Sequence, residues 1–414
     1  MAVLDDAIHM RDDLVTLRHA LHAEPEVGLD LPRTQEKVLA ALSGLPLEIT
    51  TGTRTTSVTA VLRGTGASGH GTVLLRGDMD ALPVQEKADL PWRSTIDGAM
   101  HACGHDLHTT MLVGAARLLS AHRDRLHGDV VLMFQPGEEG CDGAAVMLAE
   151  GVLDAAGRRP DAAYALHVFS ATQPLGRFVT RSGAILSASD TLDVTVHGAG
   201  GHGSTPALAK DPVVPVAEMI TALQAMVTRQ FDIFDPAVLS VGSLHAGSAR
   251  NVIPDTASFA ATVRTFSRAA QERMSHAVPR LLQGIAAAHG VDVDVRYGSG
   301  YPLTVNDDRE TAFAAATIGE VFGGARHAGL ANPYNGSEDF SRVLAEVPGS
   351  FIGLGATPAG IDPETAPFNH SPYAQYDDAV LPDGAALYAE LALRRLGSPR
   401  ATEDQTADRT EVNR

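Results

Sequence analysis

The sequence predicts an α/β protein whose mixed, mostly parallel sheet is interrupted by a smaller βαββαβ domain. Three observations carry this. Short, continuous apolar runs alternate with helical periodicities from about Met10 to Val168, the pattern of strands buried on both faces. Near Ser182 the style changes to strand, helix, strand, strand, helix, strand, a complete two-layer unit of the split βαβ type. After about Gly298 the first style returns and runs to Leu396.

Taken in order, Leu14, Leu17 and Leu21 recur at helical spacing, and β-type runs follow at Val58–Leu62 and Thr72–Arg76. Leu107, Met111, Ala115 and Leu118 fall on one helix face. A strand at Val130–Phe134, a helix near Ala144–Ala149 and a strand at Ala162–Val168 complete the first stretch. In the second, strand Leu192–Val196 leads to helix Pro212–Arg229, whose Asp211-Pro212 start joins an N-cap to a first-turn proline. Strands Val238–Leu244 and Ala257–Thr265, helix Arg268–His289 and strand Val291–Val295 follow, with Gly290 as the helix stop. The expected organisation is a discontinuous domain, 1–182 plus 298–396, enclosing an inserted domain at 183–297. The tail 397–414 has almost no apolar residues and is expected to be disordered.

Composition narrows the function classes. The chain has 414 residues, 44% of them hydrophobic, so a sizeable core is available. Asp and Glu outnumber Lys and Arg 50 to 32, and a net charge of −18 argues against nucleic acid or an anionic membrane as partner. Two cysteines exclude a disulfide framework. Acids stand where a signal peptide needs bases, and no run approaches ~20 apolar residues, so a soluble, cytoplasmic protein is expected.

The chemistry clusters where strands end. Gly77-Asp78-Met79-Asp80 follows one strand, Gln135-Pro136-Gly137-Glu138-Glu139 another, and His167 sits near the end of a third. Ligands of open α/β sheets bind outside the carboxyl ends of strands, so one rim would collect Asp78, Asp80, Glu138, Glu139 and His167. The run His101-Ala102-Cys103-Gly104-His105-Asp106-Leu107-His108 opens a helix. A thiolate and an imidazole two residues apart suit a borderline divalent metal such as zinc. The blander alternative is a buried cysteine among capping histidines. Adjacent Glu138 and Glu139 would ordinarily mark a solvated helix start. At a rim they can divide labour, one binding metal and the other taking a proton from the water it activates. His370 alone reads as a loop histidine. Gly200–Pro206 is a glycine-rich turn without the lysine of a phosphate loop, and no G-x-S-x-G elbow is present. Cys141 reads as structural.

Assembled, these segments resemble the M20 metallopeptidase family, in particular its amidohydrolase branch of hippurate, N-acyl-amino-acid and auxin-conjugate hydrolases. The matching runs are GDMDALPVQE, MHACGHDLHTTML, FQPGEEG, ALHV, GAGGHGSTP, NVIPDTASFAATVRTF, GSEDFS and NHSPY, in the family's order, over about residues 15–395. The resemblance implies a zinc-peptidase-like catalytic domain carrying a ferredoxin-like lid that pairs two subunits. It implies Cys103, His105, Glu139, His167 and His370 as ligands to two divalent ions, with zinc, manganese, cobalt and nickel all open. Glu138 would be the general base, Asp80 the carboxylate behind the ligands, and His202 a histidine reaching the partner subunit's site. Asn251 and Arg264 would hold the substrate carboxylate. Departures such as Gly137, Gly203-Ser204 and Ala261 remove no ligand, but leave the acyl pocket and thus the substrate open. The implied reaction is hydrolysis of the amide of an N-acyl amino acid. Dipeptidase, carbamoylase or N-acetyl-diaminopimelate deacetylase activity, and a non-catalytic metal-binding role, are the alternatives.

Overall fold

The first apolar runs align side by side in one eight-stranded sheet. A computed structural model describes residues 2–66 and 71–397 of the chain, so all of the expected disordered tail but Gly397 lies outside the described residues. Helices α1 (Ala2–His9), α2 (Arg11–His22) and α3 (Pro32–Leu42) lead into strands β1 (Leu47–Thr51), β2 (Val58–Arg63) and β3 (Gly71–Asp78). Helix α4 (His105–Ala121) precedes β4 (Gly128–Gln135), the short turn α5 (Glu138–Cys141) and α6 (Gly143–Ala149), and then come β5 (Ala162–Phe169), β6 (Phe178–Thr180) and β7 (Gly183–Leu186). The inserted unit comprises β8 (Ala188–His197), β9 (Gly201–His202), α7 (Val213–Gln230), β10 (Ala237–Ala246), β11 (Val252–Ile253), β12 (Thr256–Thr265), α8 (Arg268–His289) and β13 (Asp292–Tyr301). Strand β14 (Thr304–Asn306), α9 (Asp308–Phe322), β15 (His327–Gly329), α10 (Ser341–Leu344), β16 (Gly349–Gly355) and α11 (Leu381–Gly397) return to the first domain.

The large sheet runs β1-β2-β4-β3-β5-β16-β6-β15 and is mixed, with β4, β3, β5 and β16 parallel at its centre. Alternation explains the continuous apolar runs. Val73 and Leu75 of β3 face a core shared with α4 and α11, while Leu74 faces a second core shared with α6 and Phe340. Both faces are covered, so neither phase of the strand is polar. Register matters more for function. Asp78 pairs with Gln135 and Arg76 with Ala165, so the carboxyl ends of β3, β4 and β5 open at one edge.

Helix α4 departs from the one-sided pattern expected of Leu107, Met111, Ala115 and Leu118. Nearly all of it is buried, because the sheet lies on one side and α2 and α11 on the other. Its first turn is tied to α2 by a fully buried ion pair, Arg18 Nε to Asp106 Oδ2 at 2.7 Å, with His22 Nδ1 on the same carboxylate oxygen at 2.8 Å. Removing one partner of such a pair strands a charge at a cost of ~3–5 kcal/mol, so the helix start is firmly located.

The inserted unit forms its own antiparallel sheet, β10-β12-β8-β13, under α7 and α8. Burial along β8 alternates with period two, and Leu192, Val194 and Val196 pack on Met219, Leu223, Met274 and Leu282. Helix α7 begins at Val213 with Pro212 at its N-cap, one residue later than expected, and Asp211 Oδ1 accepts the Val213 N–H at 2.8 Å. Gly290 ends α8 at φ +63. Strand β13 continues past Gly298 to Tyr301, with an irregularity in its pairing to β8 at Gly300, so the return to the large domain comes later than Gly298. The two crossings run together, because β7 pairs with β14. Among the described residues no helix is long and apolar enough to cross a membrane.

Candidate metal centre and cleft

At the carboxyl edge of the large sheet, four loops converge. Cys103 and His105 flank Gly104, which takes φ +85 at the start of α4. A side chain there would place its Cβ 2.3 Å from Val168 Cγ2, so glycine is required between the two donors. His167 comes from the end of β5, Glu139 from the turn after β4, and His370 from the loop before α11. His370 itself adopts φ +72, an uncommon conformation for a residue with a side chain, and its N–H is held by the Ala102 carbonyl at 2.8 Å.

These side chains meet. Cys103 Sγ lies 3.4 Å from His167 Nε2 and 3.3 Å from His370 Nε2, and His370 Nε2 lies 3.1 Å from Glu139 Oε1. The donor atoms of Cys103, His105 and His167 fall within 4.8 Å of one another, as do those of Cys103, Glu139 and His370. Cys103 belongs to both of these groups, and His105 and Glu139 also form a group with Glu138, so the candidate donors overlap rather than stand apart. The donor chemistry fits divalent metal. His105 Nδ1 is held by the Asp80 carbonyl at 2.9 Å, while its buried Nε2 has no hydrogen-bond partner among the described residues. Fixing one ring nitrogen and leaving the other bare is how proteins orient a ligating histidine.

Protonation follows from the surroundings. Burial, aided by His108, pushes His167 well below its ordinary value and keeps it in the neutral form that binds metal. Hydrogen bonds to Cys103 and then Glu139 push His370 up to about 10. In the metal-free chain that interaction stabilises the fold fully below about pH 6.5 and is lost as pH rises through about 10. If His370 is a ligand, metal binding displaces a proton from it. Calorimetry in buffers of different ionisation enthalpy should show net proton release on metal binding, with affinity weakening from about pH 8 to about pH 6. Affinity independent of pH, with no proton released, would contradict the assignment.

Behind the donors lies a second layer of buried polar side chains. Asp78 and Asp80 both lie beneath the cleft floor, and Asp78 Oδ2 is 3.7 Å from His105 Nε2. Asp78 is not a rim residue. It is fully buried, paired with Arg76, and its Oδ1 accepts from His108 Nδ1 at 2.6 Å. The Val168 N–H donates to His108 Nε2 at 2.8 Å, which puts the proton of His108 on Nδ1. Burial opposes ionisation of Asp78, but Arg76, His105 and His108 outweigh it and hold the carboxyl well below the usual range. Asp80 accepts the N–H groups of Glu138 and Glu139 at 3.0 and 2.9 Å, so it shapes the glutamate turn from behind. Arg76 also reaches Glu338 and Asp339 at 2.8 and 3.0 Å, all of them buried. Burial, then Glu338, Glu139 and Asp339, raise Glu138 well above the ordinary carboxyl range. Arg76, Glu338 and Asp339 went unassigned in the sequence. GSEDFS was the one visible signal for Glu338 and Asp339, and Arg76 had none.

Above the donors is a cleft of about 800 Å³ between the two domains, lined by Cys103, Glu138, Glu139, His167 and His370 on its floor. Arg264 of β12 lines its far wall and donates to Ser337 Oγ at 2.8 Å. Phe169, Tyr334 and Phe368 form an aromatic flank, with ring centroids 4.7 Å apart for Phe169–Tyr334 and 6.2 Å for Phe169–Phe368. Asn251 does not join Arg264 there. The segment expected as a plain glycine-rich turn contains β9, which pairs with β11 and sets Val252 opposite His202, so Asn251 lies beside His202. Both are exposed, and neither lines this cleft within the one chain. Cys141, expected to be structural, is exposed next to the glutamates.

A model of Peptidase family M20/M25/M40 matches residues 74–394. The chain belongs to that family. This M20 chain is 33% identical over 397 residues to thermostable carboxypeptidase 2 of Saccharolobus solfataricus, covering 94% of this chain and 97% of that one. It is 32% identical over 399 residues to the hippurate hydrolase of Campylobacter jejuni, covering 96% and 100%. Among solved structures it is similar to the Bacillus subtilis YXEP protein, described as a dinuclear metal binding peptidase of the M20 family. That match has a TM-score of 0.79 and 29% identity, and covers 94% of this chain and 99% of the other. The M20 chain is accordingly an enzyme acting on amides.

Proposed function

We propose that the protein hydrolyses the amide bond of N-acyl amino acids carrying a flat, apolar acyl group, with two divalent ions held by Cys103, His105, Glu139, His167 and His370. The observation that carries this is the placement of buried Glu138 beside two donor groups that share Cys103, on the floor of a cleft whose far wall presents Arg264. When bound, the metal supplies a Lewis acid for the scissile carbonyl and lowers the pKa of water. A thiolate and three imidazoles suit zinc, and manganese, cobalt or nickel also suit the mixed set.

Glu138 takes the proton of the attacking water on its carboxylate and returns it to the leaving amine. Its raised proton affinity suits the second half of that task. Arg264 meets the α-carboxylate of the amino acid, for which its planar fork is well matched. The acyl group lies against Phe169, Tyr334 and Phe368, where ring stacking favours aromatic acyl groups over acetyl. Similarity to a hippurate hydrolase supports this reading. Similarity to a carboxypeptidase supports a second, in which the acyl group is a peptide.

Turnover of the metal-reconstituted protein on a matched panel separates them. N-aroyl amino acids with a free carboxylate should be cleaved with the highest kcat/KM, ahead of N-acetyl amino acids, dipeptides and N-carbamoyl amino acids. Converting the carboxylate to an amide should cost about tenfold to a hundredfold, the loss of a charge-assisted pair. No turnover anywhere on the panel would overturn the reading, and equal turnover of acid and amide would remove Arg264 from it.

The proposal includes a homodimer through the smaller domain, in which His202 serves the partner's cleft and stabilises the oxyanion. His202 Nδ1 accepts from the Ser204 N–H at 3.1 Å, leaving the proton on Nε2 for donation. Removing one such donor costs roughly 2.7–4 kcal/mol. His202→Ala and Glu138→Gln should each be nearly inactive, yet regain activity when unfolded and refolded together. By the symmetry of a two-fold pair, one site of each mixed dimer is intact. A mixture no more active than its parents, or a monomer in solution, would end the shared-site model.

A further inference from the structure

Tyr301 is the last residue of β13, in the smaller domain, yet its hydroxyl is bonded to the turn that carries both glutamates. It donates to the Glu138 carbonyl at 2.5 Å and accepts the Asp142 N–H at 3.2 Å. The amide N–H of the same Glu138 is already held by Asp80. Glu138 is therefore pinned at both of its peptide groups, one pin from each domain.

The turn between these pins does not hold its own shape. Glu139 leaves the helical region at φ −73, ψ 76, and Asp142 adopts φ 56, ψ 46. A left-handed residue with a side chain is strained and persists only where neighbours enforce it. The enforcing neighbour is Arg342, whose Nε donates to Asp142 Oδ1 at 2.6 Å and whose Nη2 donates to the carbonyl of Gly300 at 3.2 Å. Arg342 thus ties the turn to the residue immediately before Tyr301. Gly300 lines both the cleft above the donors, with Tyr301, and a second cleft of about 800 Å³, with Arg342.

We infer that Tyr301 is a positioning residue for Glu138, with Arg342 and Asp142 as the second arm of one clamp that transmits the placement of the smaller domain to the catalytic base. The inference rests on Glu138 being that base. Asp80 fixes the turn within the large domain. Tyr301 makes its final geometry conditional on where β13 ends.

Tyr301→Phe keeps the ring in the cleft and removes the hydroxyl alone. Its metal content and melting temperature should match the wild type, with KM within about twofold and kcat lowered about tenfold to a hundredfold, the range that small misplacements of a reacting group produce. Arg342→Ala should lower kcat in the same sense. In the double variant the loss should be smaller than the product of the single losses, because both act on one turn. A side chain that merely supports the fold would lower stability or metal content and leave kcat per metal-loaded site unchanged, and that result would overturn the inference. So would multiplicative losses in the double variant, which reads the clamp even where one single variant folds poorly. Glu138→Gln keeps the two failures apart. If it turns over normally, the base assignment fails. If it is inactive while Tyr301→Phe is not impaired, only the clamp fails.

Discussion

Glu138→Gln is expected to bind metal as the wild type does and to lose about 10²–10⁴-fold in kcat, the usual worth of a general base. The amide is nearly the same size as the carboxylate and leaves the Glu138 N–H bonded to Asp80, so only the proton acceptor is removed. Glu139→Gln should behave differently. Its Oε1 is 3.1 Å from His370 Nε2 and belongs to the donor group with Cys103, so the expected loss is in metal affinity, with partial recovery at excess ion. Metal analysis and kcat measured on the same preparations decide between the roles. Equal metal loss in both variants, with no recovery, would show that adjacent carboxylates do not divide the work in this way.

Removing the metal should abolish turnover, and a divalent ion should restore it. Cys103→Ala should lower metal content and activity together. The reason is the position of its sulfur, which sits within reach of both histidines and is common to both donor groups. Losing one thiolate then weakens two ions rather than one. Full activity in chelator-treated, metal-free protein would end the metal assignment.

Part of this site is local and therefore legible in the chain. Cys103, Gly104 and His105 are consecutive, and the glycine between two metal-binding residue types announces a backbone turn that brings the flanking side chains together. Glu138 and Glu139 follow a strand and a Pro-Gly pair, which places them on a strand-end rim. Other parts carry no local signal. Arg76 reads as one more residue of an apolar strand, although in the fold it is the single buried cation facing Asp78, Glu338 and Asp339 among the described contacts of that layer. Asp78 and Asp80 look equivalent, two residues apart on a strand end. One is turned under the edge to Arg76 and His108, while the other holds the glutamate turn.

The apolar periods alone determined that this chain makes a sheet covered on both faces and an inserted two-layer unit, because period two and period 3.6 are properties of neighbouring residues. They also determined which segments end in donors. Only the tertiary structure decided which donors meet. His167 and His370 reach Cys103 because β5 and the loop before α11 open at the same edge, a matter of strand register and chain return that no local pattern encodes. It also separated Asn251 from Arg264, by pairing β11 with β9, and brought Tyr301 to Glu138, by ending β13 at the domain junction. Side-chain chemistry specifies what a residue can bind. Long-range backbone pairing specifies where that residue stands, and here the second decided the site.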